Sequence, residues 1–384
     1  MIDKQLKAYR TYQRFLRSLL TIIGCWHMPT KFGKSMYYWS VCVLLLMIIY
    51  SMLSLHMLYI ARHNMRIMMK YVNSVISGLS TVLKVASFII NRESLIIYHR
   101  TLNDFFEEEL MQNEKKPTGI FSSLRTIYTM AYTYFAIVVA LMFTYTFKSS
   151  YICMIRNFLH FHSITNCTPP ISGGFGLLST DSDNFLFYLR LFYEPGLMTL
   201  ISIITCAVDS TFGYYVYQFS STLSAMISTL INPLSTEKFS DLLRTCAVKH
   251  QKLLQCRNTL EHVYGPIVFW HVVTNAVLLC FLIYDFTSLS VLNFETVSAS
   301  MSYAGVKLLQ TFMYTWYGTF LTNAGEEFRK AIYFSRWLNS NLDCHVRTNI
   351  ILMLMQKPMT INAVFSPVNV TMFTNVSIYY NTIQ

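Results

Sequence analysis

Of 384 residues, 53% are hydrophobic and only 13% are charged, whereas soluble domains carry about a quarter, so an ordinary soluble enzyme or binding module is excluded. The nine cysteines form no CxxC pair and no zinc spacing, which argues against a disulfide scaffold or a metal module. A net charge of +11 would suit nucleic acid, but the basic residues lie between apolar blocks, and no nucleic-acid partner is expected.

The first twenty residues set Ile2, Leu6, Tyr9, Leu16 and Leu20 against Lys7, Arg10, Arg14 and Arg17 at helical spacing. This predicts an amphipathic helix lying on an anionic inner leaflet; the alternative is a disordered basic tail. The interleaved charges do not match a cleavable signal.

Windows of about 20 apolar residues, enough for a core of roughly 30 Å, fall at Tyr37–Ile60, Val72–Ile90, Ile127–Phe147, Leu197–Tyr217, Gly265–Tyr284, Val297–Leu321 and Ala363–Gln384. Lys84, Asp209 and Lys307 sit inside three of these spans. Such charges face the bundle, a partner or water. A structural Lys–Asp pair is one reading, and a polar cavity under a ligand site is the other.

Lys and Arg concentrate in the N-terminal segment and in the second, fourth and sixth connections. The positive-inside bias therefore puts the N-terminus in the cytosol and, with seven spans, the C-terminus outside. The expected fold is an all-α membrane protein of seven transmembrane helices with a cytosolic layer of anchor helices. The exterior loop after the third span holds Cys153 and Cys167, bridged or free, and a glycosylation sequon at Asn166. His160 and His162 lack a third ligand, so no metal site is expected. Residues 236–262 repeat apolar positions at helical spacing and predict extensions of the fourth and fifth spans into the cytosol.

Near the end, "GEEFRKAIYFSRW" separates two membrane-length segments. Asn341 suits a helix cap, Leu342, Val346, Ile350, Met353 and Leu354 form one stripe, and Pro358 stops the helix. The sixth span is thus expected to continue inward, turn near Trp337, and return through a second cytosolic helix.

This stretch resembles the C-terminal signature of insect odorant receptors. The residues that carry the resemblance are Tyr317, Gly318, Glu327, Ala331, Tyr333, Trp337, Arg347, Gln356, Lys357, Pro358, Phe365, Pro367 and Phe373, with a weaker match around His250 and Gln251. The resemblance implies the odorant-binding subunit of a four-subunit, ligand-gated, non-selective cation channel. Its partners would be a shared co-receptor subunit, a small volatile odorant, the lipid bilayer and the cations in transit. Its location would be the plasma membrane of olfactory sensory neuron dendrites. No enzymatic activity and no cofactor are implied.

On this reading residues 1–34 are the cytosolic amphipathic segment and 35–230 hold spans one to four, the ligand-binding bundle. Residues 231–262 are a cytosolic extension, 263–322 hold spans five and six, 323–358 form the anchor, and 359–384 are the pore-lining seventh helix. The resemblance places the ligand site in the outer half of the membrane, with Val75, Leu79, Val138, Met142, Tyr145, Phe192, Met198 and Tyr303 as candidates. Aromatic and Met side chains there suit a small apolar ligand. It assigns Tyr333, Trp337, Arg347 and Lys357 to the subunit anchor and Phe373, Val376 and Tyr380 to the pore. The ending "VSIYYNTIQ" departs from the family, placing Thr382-Ile383 where members carry a Thr/Ser-Tyr pair, so gate residues are not carried over. Val-Ser can be encoded by donor-like codons, and translation past a last splice site is one explanation for such an ending. Two alternatives remain: a gustatory receptor of the same superfamily, and a G-protein-coupled receptor, which would need the opposite charge bias.

Overall fold

The computed structural model describes residues 2–26, 36–63, 65–113, 124–144, 185–231, 239–288, 294–335, 344–356, 359–363 and 366–371. It is almost entirely helical. In chain order the helices are α1 (Ile2–Ile22), α2 (Tyr37–Ile60), α3 (Met65–Ile90), α4 (Arg92–Asn113), α5 (Leu124–Met142), α6 (Phe185–Ile231), α7 (Phe239–Ser288), α8 (Phe294–Phe334) and α9 (Cys344–Met355), with a 3₁₀ turn at Ala61–His63. Two short strands, β1 (Asn362–Ala363) and β2 (Ser366–Pro367), pair antiparallel in the register Asn362↔Pro367 and Ala363↔Ser366.

Five stretches among the described residues are long and apolar enough to cross a membrane: Tyr37–His63, Tyr71–Ile90, Leu124–Met142, Tyr193–Ile231 and Phe239–Phe281. They coincide with the first five expected spans. The sixth, in α8, is less apolar because Lys307, Gln310, Thr311 and Thr315 are buried along it. The pattern on α2 explains how such a helix settles in lipid. Its buried stripe includes Ser40, Ser51 and Ser54, while Leu45, Ile49, Met52 and Tyr59 are exposed. Small residues inside and apolar residues outside are what helix packing in a bilayer favours. A Cβ on Gly78 would lie 2.6 Å from Ser51 Oγ, so α2 and α3 touch where both are small.

The core is built around α6, which is 47 residues long and buried almost without break from Ile204 to Leu223. It packs against α1, α3, α4, α5, α7 and α8. The 50-residue α7 continues far beyond membrane length, as the helical spacing of 236–262 predicts.

Two expectations are corrected. The apolar face of α1 does not lie on a leaflet: Tyr9, Tyr12, Leu16, Leu19 and Leu20 are buried in the main core, leaving Lys7, Arg10, Arg14 and Arg17 exposed. Tyr12 donates to Ser210 O at 3.1 Å, and the Tyr9 hydroxyl meets Tyr214 Oη at 2.9 Å and accepts from Gln218 Nε2 at 2.9 Å. Protein side chains satisfy the polar ends of these tyrosines better than lipid can. The second correction concerns 359–384, which does not begin as a helix. The β1–β2 hairpin occupies its first part, and helical conformation starts at Val370. The reason is the crowded ground it crosses, between α7 and α8.

Glycines make that crossing physically feasible. A Cβ on Gly265 would lie 2.9 Å from Asn362 O, one on Gly325 would lie 2.5 Å from Met359 Cβ, and one on Gly318 would collide with Val368 O. Asn362 Nδ2 donates to Glu261 Oε1 at 3.1 Å, and Val370 N donates to Thr319 Oγ1 at 2.9 Å. Residues 362–370 are therefore fixed to both α7 and α8.

Candidate functional site

The bundle has two ends. One carries α1; at the other, α2 hands over to α3 and α7 approaches α8. At this far end Val72, Ile76 and Leu278 form a buried apolar cluster, with Leu58, Met68, Phe281 and Tyr303 packed against it. Tyr303 on α8 is tied to α3: its hydroxyl lies 2.7 Å from Ser77 Oγ and 3.3 Å from Asn73 O. Of the predicted ligand residues, Val75 is buried, while Leu79, Val138, Met142, Met198 and Tyr303 are half-buried. Tyr303 thus joins the α3 group directly, and Val138 and Met198 pack against the main core on α5 and α6. Tyr145, and the side chain of Phe192, lie outside the described residues.

Beneath Tyr303, deeper in the bundle, lies a polar network. Lys84 Nζ pairs with Asp209 Oδ1 at 2.6 Å, and both side chains are buried. Tyr314 donates to Oδ1 at 2.6 Å and Tyr134 to Oδ2 at 3.1 Å, and Gln310 Nε2 also donates to Oδ2. One carboxylate therefore ties α3, α5, α6 and α8. A buried charge is tolerated when it is paired and fully hydrogen-bonded, and Asp209 is. The structural Lys–Asp pair of the sequence reading is present. Lys307 Nζ reaches Gln310 Oε1 at 3.4 Å and stands 5.8 Å from the Tyr303 ring centre. On α7, Asn275 Nδ2 donates to Lys307 O at 3.3 Å and also to Thr311 Oγ1. His271 lies one turn away, 5.6 Å from the Tyr314 ring.

Gln310, Tyr314, Tyr134 and Asn275 are not among the sequence candidates. The signal was available on α8, where Tyr303, Lys307, Gln310, Thr311 and Tyr314 recur at intervals of three and four. The partners on α5 and α7 needed the fold.

At the α1 end the packing is aromatic. Tyr9 stacks on Phe106 at 4.5 Å, Tyr98 meets Tyr215 edge-on at 4.8 Å, and His99 sits 5.6 Å from Trp26. Burial pushes the His99 imidazole down to about 4, so it is neutral at pH 7. Below this, α9 packs on α7 and α8. Phe328 stacks on His250 at 5.3 Å, and Ile350 and Met353 are buried. The outward side of this layer is apolar and open: Val248, Tyr333, Phe334, Ile351, Leu352 and Met355 are all exposed. Tyr333 and Arg347 stand on this layer, both exposed. Trp337 and Lys357 lie outside the described residues, as do Asn166, the Cys153 and Cys167 pair, and Phe373, Val376 and Tyr380.

The family model described as 7tm Odorant receptor matches residues 64–380. The chain belongs to that family. The receptor is 22% identical to Odorant receptor 94a of Drosophila melanogaster over 175 residues, covering 44% of this chain and 45% of the relative. It is 21% identical to Odorant receptor 49a of the same species over 304 residues, or 74% and 71% of the two chains. A third relative, the Odorant receptor coreceptor of Aedes aegypti, is 24% identical over 151 residues, 38% of this chain and 31% of that one. The receptor thus spans less than half of the first of these relatives and about seven-tenths of the second. Its fold is that of the insect olfactory receptor OR5 from Machilis hrabei, with a TM-score of 0.74 and 16% identity over 97% of this chain and 96% of that one. The structure of that protein in complex with eugenol superposes equally well, at 0.74 and 15% identity over 98% and 97%. The receptor is a multi-pass, all-α membrane protein.

Proposed function

We propose that this receptor is the odorant-binding subunit of a ligand-gated, non-selective cation channel in the plasma membrane of olfactory sensory neurons, assembled with a co-receptor subunit. The carrying observation is the family match over residues 64–380. The geometry supports it by linking two places. A buried apolar cluster at the far end, flanked by half-buried Tyr303, stands above the Asp209 network, and α8, which belongs to both, also contacts the segment at Val368–Val370 through Gly318 and Thr319. A ligand that shifts α8 against α3 would move the entry of the seventh helix without a separate relay.

In this reading the N-terminus is cytosolic and the C-terminus exterior, from the Lys/Arg bias. The far end is then the outer half of the membrane, where Val75, Leu79, Val138, Met142, Tyr145, Phe192, Met198 and Tyr303 face the odorant. The exposed apolar side of α7–α9 around Tyr333, with Trp337, Arg347 and Lys357, meets neighbouring subunits, because so large an apolar patch marks an interaction surface. Phe373, Val376 and Tyr380 line the pore, and Asn166 is the glycosylated exterior residue.

The test is current recorded from cells expressing the receptor with and without a co-receptor, across a panel of volatile compounds. Odorant-evoked cation current is expected only with both subunits. Current from the receptor alone would point to the gustatory type of assembly, and an N-terminal epitope accessible on intact cells would overturn the topology.

A further inference from the structure

Charge is not balanced in the buried network. Asp209 offers a carboxylate with about four acceptor positions, and Lys84, Tyr134, Gln310 and Tyr314 take them. Lys307, 7% exposed, is left with the neutral Gln310 oxygen at 3.4 Å and the Tyr303 ring. Two lysines thus share one carboxylate inside the helix bundle, where an uncompensated charge is costly.

A second observation is independent of that count. His271 is 1% exposed, and neither ring nitrogen has a hydrogen-bond partner among the described residues. Asn275 Oδ1, one turn further along α7, also lacks one. Buried polar atoms are nearly always satisfied, so these unmet groups on α7, facing α8, leave hydrogen-bonding capacity for a polar guest. Lys307 has donors to spare and His271 has one. Directly above them Tyr303 leads into the apolar cluster of Val72, Ile76 and Leu278.

We propose that Lys307 and His271 form an anion-accepting floor under the ligand site, and that the ligand is a small amphiphile: an apolar tail among Val72, Ile76, Leu278 and Tyr303, and a carboxylate head on Lys307. The inference rests on the far-end ligand reading and adds the chemical class. An acid fits better than an alcohol or ester, because its carboxylate keeps Lys307 charged and gives it a strong acceptor. Charge-assisted hydrogen bonds of this kind are about twice as strong as neutral ones.

The experiment compares hexanoic acid, methyl hexanoate and 1-hexanol as activators of the receptor expressed with a co-receptor at neutral pH. The acid is expected to act at the lowest concentration. Lys307→Met should raise its half-maximal concentration at least about tenfold, in line with the loss of one charged hydrogen bond, while leaving the ester unmoved; Lys307→Arg should retain the preference. Should the Met variant not reach the membrane, His271→Phe serves, with a smaller selective shift for the acid. An ester as potent as the acid, or variants that shift all three compounds alike, overturns the proposal. Replacing chloride by gluconate forms the second arm. A chloride-dependent ester response gives the floor to the inorganic ion and overturns the carboxylate head. Met142→Ala tests the underlying reading separately: if it moves no compound while Lys307→Met still separates them, the far-end placement fails and the anion floor stands.

Discussion

The two ends of the bundle are built from similar residues to opposite effect. At the α1 end, Tyr12, Tyr98, Phe106, Tyr215, Tyr217 and Phe219 are almost wholly buried, stacked ring on ring around α6. At the far end Val138, Met142, Met198 and Tyr303 are only half-buried, although Val72, Ile76, Leu197 and Leu278 are covered. Close packing makes a region that transmits force and resists change of volume, whereas looser aliphatic and thioether packing can rearrange around a guest. The difference separates looser from stiffer packing along one set of continuous helices, with the Asp209 network at the border and the proposed ligand site on the looser side.

That division predicts opposite consequences for mutation. Asp209→Ala, at the border, should have the largest effect: it strands Lys84 and three donors in the membrane, and breaking a buried pair costs about 3–5 kcal/mol. Surface expression and the thermal midpoint in detergent should both collapse. A receptor that folds normally without Asp209 would mean that the border is not structural.

Next comes a pH effect confined to the stiff end. His99 has its imidazole held down to about 4, against an ordinary 6.5, by burial. The unfolded chain therefore takes up this proton first, and stability falls as pH drops from 6.5 toward 4. The full loss is about 3 kcal/mol at 1.36 kcal/mol per unit, visible as a falling unfolding midpoint in mildly acidic detergent solution. His99→Phe should flatten that slope. A slope unchanged in the variant would assign it elsewhere.

Smaller still, Tyr12→Phe removes the hydroxyl that reaches Ser210 O and should cost about 1 kcal/mol. Proteolysis would read this as earlier release of the N-terminal helix, with the odorant response kept in kind. Finally, Met142→Ala should leave the unfolding midpoint nearly in place while shifting odorant sensitivity several-fold. Losing a few tens of Å² of apolar contact at roughly 25 cal/mol per Å² amounts to about 1 kcal/mol. If Met142→Ala unfolds the receptor instead, the contrast between the two ends is wrong.

Much of this architecture was legible before any coordinates. Long apolar windows located the first five spans because the bilayer imposes a length that few soluble helices meet. The in-span charges were visible too, but two lysines stood against one aspartate, and only the fold pairs Lys84 rather than Lys307 with Asp209. What the residues alone did not disclose was specific to packing. The helical spacing of Tyr9, Tyr12 and Leu16 is the same whether the partner is a leaflet or α6, so only the fold distinguishes them. Likewise Gln310 and Tyr314 reveal their role only once Asp209 is placed opposite. The hairpin at 362–367 was hidden because "NAVFSP" is as apolar as the sequence that follows it, and periodicity carries little weight in a membrane segment.

The hairpin's glycine clearances reach beyond packing. With Gly318 lying against Val368 O, and Gly265 and Gly325 against Asn362 and Met359, the described part of this segment bears directly on α7 and α8. A door hung on such a hinge opens by the amount its post moves, no more and no less. In the channel proposed above, gating should therefore be graded by how far a guest displaces α8. Odorants of different bulk would act as full or partial agonists through stroke length alone, without any difference in affinity.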